Sequence, residues 1–154
     1  MNEIDIFFMR KALQLAKEAS DHGEVPVGAV AVQDNRIVGV GRNRVEAQND
    51  PTAHAEMEAI TAAANCLGEP RLPGLTLYVT LEPCIMCAGA LVLARIKRLV
   101  FSVRDPKTGA CGSIYRLHDD PRLNHRFYIS EGVLANEVAS LMSSFFEKLR
   151  AKSS

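Results

Sequence analysis

The pattern of apolar and polar positions divides the chain into segments typical of helices and segments typical of strands. Apolar side chains at helical spacing predict a first helix over residues 4–20, with Asn2 as its N-cap and Gly23 beyond its end. Two β-rich runs follow at 27–32 and 36–41. Because the pair of residues between them, Asp34-Asn35, favours a tight turn, the runs predict a β-hairpin.

The rest of the chain alternates between the two kinds of segment, with boundaries set by glycine, proline and polar residues. The further predicted elements are a helix over 53–67 capped by Asp50, a strand over 75–81, a helix over 84–95, a strand over 98–103, an irregular stretch over 104–126 with one short helix near 114–117, a strand over 127–130 and a helix over 134–152. A hairpin followed by alternating helices and strands predicts an α/β fold. We expect a three-layer α/β/α sandwich around a central mixed five-stranded sheet.

The size and composition of the chain limit the classes of protein to which it can belong. Its 154 residues and 47% hydrophobic content suit a single domain spanning 1–154. The apolar stretches are too short for a membrane span, and the amino terminus does not resemble a secretory signal. We therefore expect a cytoplasmic protein without membrane association, in which the four cysteines are reduced thiols and not a disulfide framework.

The net charge of zero argues against the class of strongly basic nucleic-acid-binding proteins, because 18 basic residues balance 18 acidic ones. The two halves differ, however: residues 1–80 hold seven basic and eleven acidic side chains, and residues 81–154 hold eleven and seven. This asymmetry is compatible with a basic face on a neutral protein and equally with ordinary scatter.

Candidate chemistry is concentrated at two predicted helix starts, which hold His54 with Glu56 and Cys84 with Cys87. The cysteines are three positions apart, so their sulfurs share one face of a first helical turn, where the helix dipole favours thiolates. With His54 they supply three ligands of the kind that Zn²⁺ prefers, and three protein ligands with an open fourth position are typical of catalytic zinc. Glu56 is then placed to accept and return a proton.

Other interpretations of these residues stay open. A lone C-x-x-C after a strand is also the arrangement of thioredoxin-like redox proteins, and a zinc-stabilised or redox-active binding module would need no hydrolytic chemistry. The combination is more specific than its parts: H-A-E followed by P-C-x-x-C matches the pattern of zinc-dependent base deaminases.

The sequence resembles the cytidine-deaminase superfamily and, more narrowly, the bacterial tRNA-specific adenosine deaminases. The segments that carry the narrower resemblance are VPVGAV at 25–30, GRNR at 41–44, DPTAHAE at 50–56, TLYVTLEPCIMCAGA at 76–90, RDPKTGACGS at 104–113, NHR at 124–126 and SFFEKLR at 144–150. The zinc motif alone specifies the superfamily, and a deaminase of free guanine, cytosine or their nucleosides shares it. The later segments favour the tRNA enzymes.

The resemblance implies a cytidine-deaminase-like fold and hydrolytic deamination of adenosine to inosine at the wobble position of a tRNA anticodon. It implies one Zn²⁺ per subunit on His54, Cys84 and Cys87, with Glu56 as the proton carrier. It further implies a homodimer and an anticodon stem-loop as partner. The substrate-binding residues that it implies are Asn43, Ala55, Asp105, Phe145 and Lys148.

Overall fold

A computed structural model describes residues 2–153 of the chain. Its helices are α1 Glu3–Asp21, α2 Val45–Gln48, α3 Ala55–Leu67, α4 Ile85–Leu93 and α5 Ala135–Ser153. Its strands are β1 Gly28–Gln33, β2 Arg36–Arg42, β3 Thr76–Leu81, β4 Arg98–Val103 and β5 Tyr128–Glu131. None of the helices within the described range is both long enough and apolar enough to cross a bilayer. The ends of the predicted domain, Met1 and Ser154, lie outside the described residues.

The five strands form one mixed sheet in the order β2-β1-β3-β4-β5. Strand β1 pairs antiparallel with both β2 and β3, whereas β3, β4 and β5 run parallel to one another. The parallel pairs are joined through α4 and through the long 104–127 segment, as parallel strands require a crossover connection. The predicted mixed five-stranded sheet is confirmed.

Helices cover both faces of this sheet. Alternate strand residues such as Val79 and Phe101 pack on one face with the alanines of α3 and with α4. Their neighbours Tyr78 and Val100 pack on the other face with Phe8 and the rest of the buried side of α1. Helix α5 lies on the same side as α1 and contacts both α1 and β4. These contacts confirm the predicted three layers.

The hairpin turn and the first helix cap agree with the sequence pattern. Asp34 and Asn35 both have positive φ, at 52° and 60°, as a two-residue type I′ turn requires. Asn2 accepts a hydrogen bond from the backbone N–H of Asp5 at 2.7 Å through its side-chain oxygen, which is the bond of an N-cap.

Two glycines of β2 let α3 approach the sheet closely. A Cβ atom on Gly41 would lie 2.2 Å from the carbonyl oxygen of Ala55, and one on Gly39 would lie 2.4 Å from that of Ala59. Any side chain at these positions would push the helix away. The glycines therefore fix the height of α3, including its amino-terminal end, above the sheet.

The start of α3 differs from the prediction. The Asp50 side chain accepts hydrogen bonds from the N–H and the hydroxyl of Thr52, at 2.8 and 2.7 Å, and so closes a local turn. The helix begins only at Ala55, with His54 in extended conformation as the N-cap. The predicted start at residue 53, with Asp50 as its cap, is wrong because the carboxylate serves this turn instead.

Two further predictions fail between the larger elements. Residues 114–117 are not helical: Ile114 N–H bonds to Gly109 and Leu117 N–H to Ala110, five and seven positions back instead of four. Conversely, the stretch between the hairpin and the next predicted helix, for which no element is predicted, contains the short helix α2. The carboxylate of Glu24 stabilises it by accepting the backbone N–H groups of Glu46 and Ala47 at 2.9 and 2.8 Å.

Candidate metal centre and active-site cleft

Three potential metal ligands meet at the amino-terminal ends of α3 and α4. His54 is the N-cap of α3, Cys84 is the N-cap of α4, and Cys87 is buried in the first turn of α4. The Nδ1 atom of His54 lies 3.6 Å from the sulfur of Cys84 and 3.5 Å from that of Cys87. All three ligand atoms lie within 4.8 Å of one another, so a single ion can contact each of them.

The electrostatics of the cluster favour metal binding. The thiol of Cys87, and after it the ring of His54, lower the pKa of Cys84 to about 4. Contact with the Cys84 sulfur raises the pKa of both His54 and Cys87. One sulfur is therefore a thiolate at neutral pH, and an imidazole nitrogen with two sulfurs is a donor set that suits Zn²⁺. The cluster fits the metal that the sequence pattern implies.

A buried carboxyl group lies beside the ligands. Glu56, the second residue of α3, is only 5% exposed. Burial raises the pKa of Glu56 to about 7. A carboxyl group with this pKa can hold a proton or release it near neutral pH, which is the property required of a general acid and base.

His54, Ala55, Glu56 and Cys84 form the base of a cleft of about 580 Å³, with Cys87 buried behind them. Its walls come from five regions of the chain: the segment before β1, the segment after β2 with α2, the end of β3 with Glu82, the loop after β4, and α5. This volume falls in the range of small-molecule sites, so the cleft can admit a single nucleobase. The described wall residues outside the base include Glu24, Asn43, Leu81, Glu82, Asp105, Thr108, Phe145 and Leu149.

Four of the five predicted substrate-binding residues line this cleft: Asn43, Ala55, Asp105 and Phe145. Asn43 is buried, and its carboxamide makes two long hydrogen bonds of 3.4 Å, to the Val25 carbonyl and from the Val45 N–H. The fifth residue, Lys148, is exposed on α5 and is not among the residues that line the cleft.

Asp105 has a structural task within its own loop. Its carboxylate accepts the N–H groups of Lys107 and Thr108 at 3.0 and 3.2 Å and the Thr108 hydroxyl at 2.7 Å. These bonds shape the part of the loop that lines the cleft.

Two further buried carboxylates line the cleft and were not anticipated. Glu24 caps α2, and Glu82 accepts hydrogen bonds from the loop after β4. The only sequence signal was an acidic residue beside apolar neighbours in each case, directly before Val25 and after Leu81. That signal does not reveal which distant backbone groups each carboxylate contacts.

Comparison with known proteins agrees with this geometry. A family model of MafB19-like deaminases matches residues 2–150. The tRNA-specific adenosine deaminase of Haemophilus influenzae is 51% identical over 150 residues, 97% of this chain and 87% of that protein. The enzyme of the same name from Bacillus subtilis is 45% identical over 148 residues, 96% of this chain and 92% of that protein.

Solved structures show the same fold. One from a study of A-to-I editing by tRNA:A34 deaminases at the wobble position matches with a TM-score of 0.84 at 45% identity, covering 88% of this chain and 98% of that one. A guanine deaminase from Nitrosomonas europaea matches with a TM-score of 0.76 at 22% identity, covering 91% and 83%. The predicted cytidine-deaminase-like fold is confirmed. With such identity and coverage, the chain belongs to the family of tRNA-specific adenosine deaminases, among the deaminases that the MafB19-like model describes.

Proposed function

We propose that this protein hydrolytically deaminates adenosine to inosine at the wobble position of a tRNA anticodon. The Haemophilus influenzae and Bacillus subtilis relatives are named tRNA-specific adenosine deaminases, and the structure that matches with a TM-score of 0.84 comes from a study of A-to-I editing at the wobble position. The observation that carries the proposal is the His54, Cys84 and Cys87 cluster with buried Glu56 beside it at the base of a cleft. A structural metal site would need no adjacent carboxyl group, whereas hydrolysis needs a group that moves protons.

His54, Cys84 and Cys87 would hold one Zn²⁺ in each subunit. When bound, the ion supplies the Lewis acidity that makes hydroxide available near neutral pH. Glu56 acts as the proton carrier: its carboxyl group accepts a proton from the attacking water and passes it to the purine ring nitrogen. It then takes the remaining proton of the added hydroxyl group and delivers it to the departing amine, which leaves as ammonia. Its buried position excludes bulk water from these transfers.

The cleft wall would bind the flipped adenine and the nucleotides around it. The long hydrogen bonds of the Asn43 carboxamide can be exchanged for bonds to a base edge. Ala55 offers a backbone N–H at the start of α3, where the His54 side chain makes no capping bond. Asp105 and Phe145 line the cleft, and exposed Lys148 on α5 would meet the RNA backbone outside it.

The test is deamination of an anticodon stem-loop with adenosine at the wobble position. Glu56→Gln keeps the shape of the side chain but removes the proton carrier, so kcat should fall about 10²–10⁴-fold with one zinc per chain retained. The matched control is Glu58→Gln, two residues along the same helix, where only a partly exposed ion pair with Arg44 is lost. Normal turnover by zinc-loaded Glu56→Gln would overturn the mechanism.

Free guanine, free cytosine and their nucleosides are assayed in parallel with the stem-loop. Inosine in the stem-loop supports the proposed substrate. Ammonia released from a free base or nucleoside alone would instead show a small-molecule deaminase on the same fold.

We also propose that the protein is a homodimer. Ile85 and Leu93, at the two ends of α4, are 55% and 78% exposed, and Ile114 and Tyr115 are about half exposed as well. Exposed apolar side chains on one helix face are typical of protein interfaces. Leu93→Glu should convert a dimer to a monomer in sedimentation, whereas Ile37→Glu on edge strand β2 should not. A monomeric wild type would refute this assignment.

We further propose that residues 1–154 act as one deaminase domain in the cytoplasm. The five strands of residues 2–153 share one sheet, with a hydrophobic core on each face. The cysteines of the described chain are free thiols, as the proposed ligand role requires. Fractionation of cells that express the protein would test the location.

A further inference from the structure

Glu82 is a buried carboxylate that the proposed chemistry does not use. It lies between the end of β3 and Pro83, immediately before the Cys84 segment, and is 2% exposed. Its oxygens accept the backbone N–H groups of Asp105, Cys111 and Ser113, each at 3.0 Å. The hydroxyl of Ser113 donates a further hydrogen bond to the same carboxylate. One side chain thus satisfies four donors.

All four donors belong to one segment, residues 105–113, which we call the 105–113 loop. The loop also packs against the metal-ligand segment, since the Ala110 N–H bonds to the Pro83 carbonyl at 2.8 Å and Gly109 pairs with Cys84. Gly109 lies so close to Glu82 that a Cβ atom there would be 2.3 Å from the carboxyl carbon. The carboxylate therefore fills the space inside the loop.

The 105–113 loop supplies one wall of the cleft. Asp105 and Thr108 line the cleft, and their side chains are bonded to each other. The Asp105–Thr108 bond keeps these two side chains together, and Glu82 connects the pair to the end of β3 through the N–H of Asp105.

We propose that Glu82 is a positioning residue for the proposed deamination: it sets the place of the 105–113 loop and, through that loop, the RNA-facing wall of the cleft. This inference rests on the proposed function for its kinetic consequence. The structural part, that one carboxylate holds the loop, stands independently. Glu82 touches no reacting group in this scheme and acts only through the loop.

The test variant is Glu82→Gln, which keeps the size of the side chain but places an NH₂ group against N–H donors. For the stem-loop substrate, KM should rise about tenfold or more, because a displaced wall misplaces the RNA. The turnover number should stay within about threefold, with one zinc per chain. A role in stability alone would lower the amount of active protein and leave KM unchanged, so unchanged KM would overturn the proposal.

Hydrogen exchange gives a second measurement that does not depend on activity. The amides of Asp105, Cys111 and Ser113 should exchange faster in Glu82→Gln, while the amides of α1 keep their rates. The matched control is Glu131→Gln, which removes an exposed carboxylate paired with Arg104 beside the same loop. It should change neither KM nor loop exchange.

A milder variant covers the case in which Glu82→Gln fails to fold. Ser113→Ala removes one donor of the four, so it should raise KM by a smaller factor and speed exchange at residue 113. Unchanged exchange there would contradict the proposed connection. If the wild type deaminates no stem-loop, the proposed function fails, and the exchange comparison still decides whether Glu82 holds the loop.

Discussion

Asp5 of α1 links the first helix to the sheet, and its replacement by alanine tests how that layer is held. The side chain is 6% exposed and accepts two hydrogen bonds from the guanidinium of Arg98 in β4, at 2.9 and 2.7 Å. It also accepts the hydroxyl of Tyr78 in β3 at 2.8 Å. Arg98 in turn donates to the hydroxyl of Ser130 in β5 at 2.9 Å. The network therefore joins α1 to three strands.

The expected loss of stability follows from the groups that Asp5→Ala leaves without a partner. Breaking a buried ion pair costs about 3–5 kcal/mol when the remaining charge stays buried. The Arg98 side chain is 28% exposed, so water can partly solvate it and the cost falls. The buried Tyr78 hydroxyl loses its acceptor, which adds about 1 kcal/mol. We expect a loss of about 3 kcal/mol in the free energy of unfolding, or roughly 6–12 °C in Tm for a chain of this size.

Urea and thermal unfolding of Asp5→Ala measure this loss, with Glu3→Ala as the matched control. Glu3 is an exposed acid in the same first turn, so its removal should cost at most about 1 kcal/mol. The double variant Asp5→Ala with Arg98→Met should recover part of the loss, because no unpaired charge remains. Equal midpoints for Asp5→Ala and Glu3→Ala would refute the reasoning.

The dependence on pH has a definite sign. The hydrogen bonds from Arg98 lower the pKa of Asp5 below its model-peptide value of 3.8. A folded-state pKa below the unfolded one stabilises the protein at pH values above the unfolded pKa. That contribution is lost as the pH falls through the folded pKa. The stability difference between wild type and Asp5→Ala should thus be full at pH 6 and narrow below pH 4, about where Asp titrates when unfolded. A constant difference down to pH 2 would contradict this account.

Three further substitutions test the helix approach, a helix end and the cleft. Gly41→Ala places a methyl group 2.2 Å from the Ala55 carbonyl oxygen. Urea unfolding should therefore show a loss of about 1–3 kcal/mol in the free energy of unfolding, and competition with a chelator should show weaker zinc binding. Unchanged stability and zinc affinity would contradict the close approach. Arg95 has φ of 60° after the end of α4, so Arg95→Gly should raise stability by about 0.5–1 kcal/mol, and a lower Tm would argue against strain there. Asn43→Ala should raise KM for the stem-loop about tenfold at unchanged zinc content, whereas unchanged KM would remove Asn43 from base binding.

The elements that could be predicted from the sequence are those whose signal is local. The period of apolar residues in α1, the Asn2 cap and the Asp34-Asn35 turn all depend on residues close together in the chain. Each is confirmed within a few residues of its predicted bounds. The grouping of His54, Cys84 and Cys87, which could hold a metal ion, was predictable for a related reason. The short spacing of Cys84 and Cys87 places both at one helix start, and their combination with His54 is specific.

Most of the predictions that failed concern segments whose structure depends on groups far away in the chain. Helix α2 forms in a polar segment because Glu24, more than twenty positions earlier, accepts its first N–H groups. The 114–117 segment bends back to Gly109 and Ala110 because the loop is arranged around Glu82. The Asp50 prediction failed for another reason. Its signal was local but had two interpretations, because the same carboxylate can cap a helix or close a turn. No periodicity in the sequence distinguishes such alternatives.

Two buried glutamates, each two positions from a proposed metal ligand, show why composition alone could not assign their roles. Burial raises the pKa of Glu56 to about 7, which leaves its proton exchangeable near neutrality. Glu82 is equally buried, but its oxygens are taken by the backbone of the 105–113 loop and the Ser113 hydroxyl. A carboxylate fixed by several donors is suited to hold structure, and one enclosed next to the metal ligands is suited to move protons. If both proposals hold, the surroundings of each glutamate, and not the residue type, determine whether it moves protons or holds the loop.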